Sequence, residues 1–416
     1  MIDTTELLLL SLIASLGLLI LWHLPELGIS LYLFNGIYKT APLLATVDSI
    51  VPTLFIVLLT VSLLLIRGPA IKSKQLSIDG LLLTLVAFNF LLLLSAFGIS
   101  QLTDKAMRLA FFTASSLVMA GVVMREPERL LRAFRLIAML GIITAALSTV
   151  NFAFIETNQI RSVTLFGAND VIHGRSIGLG IIISIGLLLY DNSLPRFWRW
   201  VCLLGLPISL INLILSTSRG SIVGVVASLL FVLFTYRARL PRGSWLGLLF
   251  IWPLYQLVIS VWGNRVIDLQ ILSVFVGGEL DLSSRLRLLF YQQAWERFIA
   301  SPLIGTGAGS NLYYPHNLFL EVASDLGIIG LCCLFLIIWH LVYNIRRLRL
   351  HQTVNQQQVL INLIIVGLIY GLVIAQFSGN LQHQRELWMF VALGWAVMNN
   401  PQFTSIAYPS QLPLDA

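Results

Sequence analysis

The sequence predicts an all-α polytopic integral membrane protein of about twelve transmembrane helices, with one large outward loop that contains an amphipathic helix. Three observations predict it. Of 416 residues, 57% are hydrophobic and only 11% are charged, giving a mean hydropathy of +0.88, far outside the range of soluble domains. Apolar runs near the length of a bilayer crossing, about 20 residues, recur along almost the whole chain. The basic residues fall in alternate short loops, as expected when Lys and Arg accumulate on the cytoplasmic side.

The predicted spans lie near 6–22, 50–66, 80–100, 108–124, 134–153, 175–190, 199–215, 219–236, 244–262, 326–344, 359–378 and 386–399. The first has no basic leader and no small-residue cleavage site, so it reads as a permanent anchor. Segment 27–38, "LGISLYLFNGIY", is apolar but shorter than a span, and reads as interfacial or re-entrant. The whole chain, 1–416, then forms a single membrane domain, with 263–325 as its large loop.

Charge sets the sidedness. "RGPAIKSK" (67–74), "REPERLLRAFR" (125–135), "PRFWR" (195–199), "RARLPR" (237–242) and "RRLRL" (346–350) hold fifteen of the 26 basic residues. They share one side only if residues 23–49 stay outside as one connection, which puts both termini in the cytoplasm. Nine of the remaining eleven basic residues are arginines. Solubility alone would accept Lys, whereas bidentate recognition of phosphate prefers the guanidinium fork. Cys202, Cys332 and Cys333 all fall within apolar spans and suggest neither a disulfide framework nor a metal site.

The outer loops carry the candidate chemistry. "SSRLRLLFYQQAWERFIASP" (283–302) reads as an amphipathic helix. At about 100° per residue, Arg287 falls in the stripe of Tyr291, Ala294, Trp295 and Phe298, while Arg285, Gln292 and Glu296 share the solvated face. A charge in an apolar stripe is expensive without a fixed partner, so Arg287 is the arginine of interest. "PLIGTGAGSN" (302–311) lacks the Lys-Ser/Thr of a phosphate-binding loop and reads as flexible access to a site. In "YYPHNLFLEVASDLGIIGL" (313–331), Asn317 suits the N-cap of a helix. The positive end of that helix would keep His316 neutral and available as a base. "STSRGS" (216–221) places Arg219 at the outer end of a span, and "NQIRSVTLFGANDVIHGRS" (158–176) adds Arg161, Asn169, Asp170, His173 and Arg175 on the same side. Single arginines at membrane ends are commonly anchors, and His173 and Arg175 suit a helix start. Several arginines converging on one side suggest an anionic ligand.

With these motifs assembled, the sequence resembles the O-antigen ligase and polymerase superfamily of bacterial envelope glycan enzymes, from about residue 150 to the C-terminal helix. "TSRGS" is similar to the family's Ser-Arg-Gly element, and the resemblance implies a lipid-pyrophosphate role for Arg219. "RLLFYQQAWERFIASPLIGTGAG" resembles its Arg-x-x-x-aromatic helix and following glycine element, and singles out Arg287. "PHNLFLEVASDLGIIGL" resembles its His-Asn element and carries the essential histidine onto His316. "IRSVTLFGAND" resembles more loosely an upstream loop that would contribute Arg161.

The resemblance implies a glycosyltransferase at the periplasmic face of the bacterial inner membrane. The donor would be an undecaprenyl-pyrophosphate-linked glycan and the acceptor a glycan or lipid A-core. Membrane lipids and other assembly proteins, such as a chain-length regulator and a flippase, would be its partners; nucleic acid would not. His316, Arg287 and Arg219 are then the expected catalytic residues, and Arg161, Asn317, Glu321 and Asp170 the expected substrate-binding residues, with Glu321 and Asp170 in reserve as bases. No cofactor and no metal are expected. A flippase is the rival from another class. Its polar residues should lie at the midplane and in internal repeats, which the sequence does not display.

Overall fold

The computed structural model describes residues 19–38, 40, 50–67, 79–95, 100–123, 125–153, 162–236, 282–307, 314–351 and 355–400, with three isolated positions between 253 and 260. Every regular element among them is helical. In chain order the helices are α1 (Leu27–Tyr38), α2 (Ile50–Arg67), α3 (Gly80–Ser95), α4 (Ser100–Val123), α5 (Pro127–Ala153), α6 (Asp170–Tyr190), α7 (Arg196–Leu215), α8 (Arg219–Tyr236), α9 (Leu282–Ala300), α10 (Leu318–His351), α11 (Asn355–Ile374) and α12 (Arg385–Met398). Among the described residues six helices are long and apolar enough to cross a membrane. The predicted spans 6–22 and 244–262 lie mostly or wholly outside the described residues.

Two helices occupy the interior. α6 is buried almost continuously from His173 to Leu187, and α12 from Arg385 to Val397. A helix apolar all round belongs inside a bundle rather than on its rim. α5, α7, α8, α11 and α1 pack around α6, while α4, α11 and α10 pack around α12. Close packing of α5 on α6 depends on two facing glycines, since a Cβ on Gly141 would come within 2.7 Å of the Gly180 Cα. α7 and the later part of α10 turn Trp200, Leu204, Phe335 and Trp339 outward, where lipid would solvate them.

The basic end of the bundle is tied by ion pairs from Arg129 to Glu126 at 2.7 Å, Arg132 to Glu26 at 2.8 Å and Arg135 to Asp191 at 3.1 Å. One of these corrects the sequence reading. Glu26 opens α1 at the basic end, whereas Gly36 and Thr40, at and beyond its last turn, line a cavity at the opposite end. Segment 27–38 therefore crosses the bundle, and residues 23–49 are not one connection on one side. Twelve residues span only about 18 Å, which led the length criterion to reject the segment. That criterion applies to helices in contact with lipid; Ile29, Tyr32, Leu33, Phe34 and Ile37 are all buried by protein. The alternation of basic loops holds from α2 onward, but the side occupied by the start of the chain no longer follows from it.

Candidate active site

The turn between α7 and α8 is built on a buried polar ladder. His173 Nε2 lies 3.0 Å from Asn212 Oδ1, and Asn212 Nδ2 donates to Ser148 Oγ at 2.6 Å and Thr149 Oγ1 at 3.1 Å. Val163 N donates to Leu215 O at 3.0 Å, drawing the loop after α5 onto the same turn. His173 is thus a structural residue of this ladder. The turn ends in strain: Thr217 has φ 57°, a left-handed conformation that a β-branched residue rarely adopts. It delivers Arg219 to the first position of α8. A cation there opposes the helix dipole, so helix stability does not explain its placement. Arg219 Nη1 donates to Ser284 Oγ at 3.1 Å, linking α8 to α9.

Ser284 and Arg287 are three residues apart on α9 and share a face. Arg287 is half-buried and Arg285 exposed, as the helical wheel requires, and Gln292 donates to Glu296 at 2.8 Å on the solvated side. Trp295 departs from the wheel. It is 53% exposed, along with Leu286, Leu288, Leu289 and Ile299, and only Ala294 of the expected stripe is fully buried. α9 therefore contacts protein along a narrow strip, and its large apolar side chains face outward, as suits a helix lying at a membrane interface.

Beyond α9, "PLIGTG" does something the sequence reading did not foresee. α10 is broken at Gly327, with φ 64° and ψ −156°. The backbone groups freed at the break are taken up by this stretch: Ile328 N donates to Pro302 O at 2.8 Å, Ile329 N to Leu303 O at 3.3 Å, Thr306 N to Ser324 O at 2.8 Å and Gly307 N to Asp325 O at 3.1 Å. Gly305, at φ 71°, and Gly327 lie back to back, and a Cβ on either would fall within 2.5 Å of the other strand's backbone. The stretch is a backbone splice onto a broken helix, not a flexible approach to a site.

The splice fixes the short helix Leu318–Leu326. Asn317 caps it, its Oδ1 accepting from Leu320 N at 3.0 Å and its carbonyl from Glu321 N at 2.9 Å. Its Nδ2 reaches Gln376 O at 3.4 Å. Lys105 of α4 lies 2.5 Å from Glu321 and 2.6 Å from Asp325, and Glu321 Oε2 accepts from Leu381 N at 2.8 Å. Glu321 and Asn317 thus hold the helix and the 375–384 segment together.

His316 precedes this helix in a left-handed conformation, φ 52°. Its ring lies 4.4 Å from Tyr314 and 6.5 Å from Phe290. Burial and the Arg287 charge push its pKa down to about 4. That direction favours the neutral imidazole, and its leading cause is burial, whereas the sequence reading invoked the helix end. The Tyr314 hydroxyl is pushed up by burial.

His316 lines a cavity of about 330 Å³ with Leu33, Thr40, Asn169, Arg175, Arg385 and Glu386 among its other walls. Arg175 Nη2 donates to Glu386 Oε2 at 2.6 Å and to Gln384 Oε1 at 2.7 Å. Of the residues singled out as the expected catalytic and substrate-binding set, His316 lines this cavity. Arg219 and Arg287 are not in its wall: Arg219 is bonded to Ser284 of α9, and Arg287 acts on His316 through its charge. Asp170 sits in the first turn of α6 behind the Asn169 N-cap, and Glu321 is sequestered. Arg161 lies outside the described residues.

Residues 203–335 match the family model described as O-antigen ligase. The matched segment spans 133 of the 416 residues. A search of the curated proteins returns no match. The matched segment contains Arg219, Arg287 and His316, while Arg175, Arg385 and Glu386 reach the cavity from helices outside it. Sequence reasoning passed over Arg385 and Glu386, which looked like the polar rim of the last span. The available signal was the length of that span: about 14 residues is too short for a lipid-facing crossing, so its charged start had to lie inside the bundle.

Proposed function

We propose that the protein is an inverting, metal-independent glycosyltransferase at the periplasmic face of the bacterial inner membrane, of the O-antigen polymerase type. The donor is a glycan on undecaprenyl pyrophosphate, and the acceptor is a sugar hydroxyl of a glycolipid. The observation that carries the reading is His316, held in a strained backbone in the wall of a cavity large enough for sugar rings, with the Arg287 charge acting on its ring. In the reaction the acceptor oxygen bonds to the anomeric carbon as the bond from that carbon to the pyrophosphate oxygen breaks, and the hydroxyl proton passes to His316. Charge growing on the departing undecaprenyl pyrophosphate is met by Arg219 and Arg287, with Arg161 as a third donor.

The test is transfer by the purified chain in lipid nanodiscs, with synthetic lipid-linked repeat unit as both donor and acceptor. Products longer than one repeat, formed in the presence of a chelator and with inverted anomeric configuration, support the reading. Hydrolysis without transfer would refute it. A deletion strain separates the two activities of the family: single repeats on the acceptor mean polymerase, and polymer accumulating on its carrier lipid means ligase.

A further inference from the structure

Three residues that line the His316 cavity each keep a buried polar atom with no hydrogen-bond partner among the described residues: Nε of Arg175, Nη1 of Arg385 and Nδ1 of His316. Buried polar groups in proteins are nearly always satisfied, and three orphans around one space point to something that belongs in it. Arg385 is the sharpest of them. It is 8% exposed and opens α12 inside the bundle. Its guanidinium carbon lies 4.4 Å from the Phe112 ring centroid and 6.0 Å from that of Tyr32. Tyr32 is itself engaged with Phe112 O and Ser116 Oγ.

The charges around the cavity do not balance. Among the described residues Glu386 is the one carboxylate in its wall, and its Oε2 is bonded to Arg175. With His316 neutral, Arg175 and Glu386 cancel and Arg385 remains in excess. Aromatic faces can support a guanidinium, but they do not fill its donor edge. A charge held inside a membrane bundle is costly unless it is fully compensated, and the one carboxylate charge of Glu386 is shared between Arg385 and Arg175, to which it is bonded. Lysine would carry the same charge, yet the fork of an arginine suits a planar or tetrahedral oxyanion.

We propose that Arg385, assisted by Arg175, forms an oxyanion subsite in this cavity, separate from Arg219 and Arg287, that takes a carboxylate or phosphate group of the substrate. That this group belongs to a glycan substrate rests on the proposed glycosyl transfer; the oxyanion site itself does not. Two sources supply the same chemistry, a uronate-type acceptor sugar and the diphosphate of the donor.

The experiment uses the full chain in nanodiscs, with inorganic pyrophosphate, a glucuronate-terminated disaccharide and a neutral glucose disaccharide as probes, compared between wild type, Arg385→Lys and Arg385→Met. Affinity for at least one anion should fall about tenfold to a hundredfold in Arg385→Met, the range for losing a charge-assisted hydrogen-bond pair, with Arg385→Lys between. Loss confined to glucuronate assigns the acceptor, and loss confined to pyrophosphate assigns the donor. Phenylglyoxal footprinting of the wild type, read by mass spectrometry at Arg385, needs no variant, and the bound anion should protect that residue. Unchanged anion affinity in Arg385→Met overturns the subsite. So does unprotected Arg385, including the case in which neither anion binds the wild type. Anion binding without any glycosyl transfer by the wild type would overturn the proposed function and leave the subsite standing.

Discussion

Loading the donor should change the proton affinity of His316, and the two kinetic pH profiles should separate as a result. In the free protein burial and Arg287 hold the imidazole pKa at about 4. The acidic limb of kcat/KM, which reports the free enzyme, therefore belongs near that value rather than near the ordinary imidazole value. A bound pyrophosphate brings negative charge to the same neighbourhood. One unit charge at about 6 Å, with an effective dielectric constant of about 20, favours imidazolium by roughly 2.8 kcal/mol, or about two pH units. Solvent reaching the half-buried ring reduces this, so a shift of about one to two units is expected. The acidic limb of kcat should then lie at about pH 5 to 6. The sign is fixed: depression of the free imidazole keeps it neutral and able to accept a proton, and the ligand's charge raises its basicity when the acceptor hydroxyl must be deprotonated. The assay is initial-rate transfer in nanodiscs from pH 4 to 9 at saturating and limiting donor. Arg287→Gln should raise the kcat/KM limb, by removing one of the two causes of depression. Coincident limbs in the two profiles, or an unchanged limb in His316→Ala, would refute the reasoning.

Arg287→Lys should lose most transfer activity, at least about tenfold, while Arg285→Lys retains it, because only Arg287 is half-buried toward the site and lysine lacks the fork; parallel rate measurements decide. Thr217→Gly should raise thermal stability by about 1 kcal/mol, through relief of the left-handed strain, and lower kcat as Arg219 loses its fixed entry into α8; melting curves and rates on one preparation test both. Lys105→Met should destabilise the fold by about 3–5 kcal/mol, since it leaves Glu321 and Asp325 buried together without their cation; thermal unfolding in detergent measures it, and Lys105→Met with Glu321→Gln and Asp325→Asn should recover most of the loss.

Most membrane helices were legible because lipid imposes a length and a composition that propensity need not decide. The observed α2, α7, α8, α11 and α12 lie within a few residues of the predicted spans. α1 escaped for the converse reason: protein surrounds it, so lipid sets no length. The break in α10 at Gly327 escaped as well, because a glycine in an apolar run is ordinary and the backbone carbonyls and amides that splice it come from 302–307. Arg287 was legible as a charge in the wrong place on a wheel, and His316 as a histidine before a cap. Arg385 was passed over although the shortness of the last apolar run, 14 residues in the structure, is the mark of a charged start that stops inside the bundle.

The strain in the backbone is concentrated where those illegible features meet. Phe166, Thr217 and His316 are the non-glycine residues with positive φ among those described, and each lies in the turn or loop that enters a helix, α6, α8 or α10, at the same end of the bundle. The surroundings over-determine each one: Val163 N on Leu215 O near Phe166 and Thr217, the Asn317 cap and the Lys105 pairs below His316. A bundle free to relax would replace these residues by glycine or lengthen the turns. Keeping them fixes the entry of Arg219 into α8 and holds His316 in the wall of a cavity whose Arg385 directly follows the 375–384 segment that Glu321 holds through Leu381. Buried carboxylates thus serve to place the positive and neutral groups: Glu386 holds Arg175, and Glu321 holds the helix below His316 and the segment before Arg385.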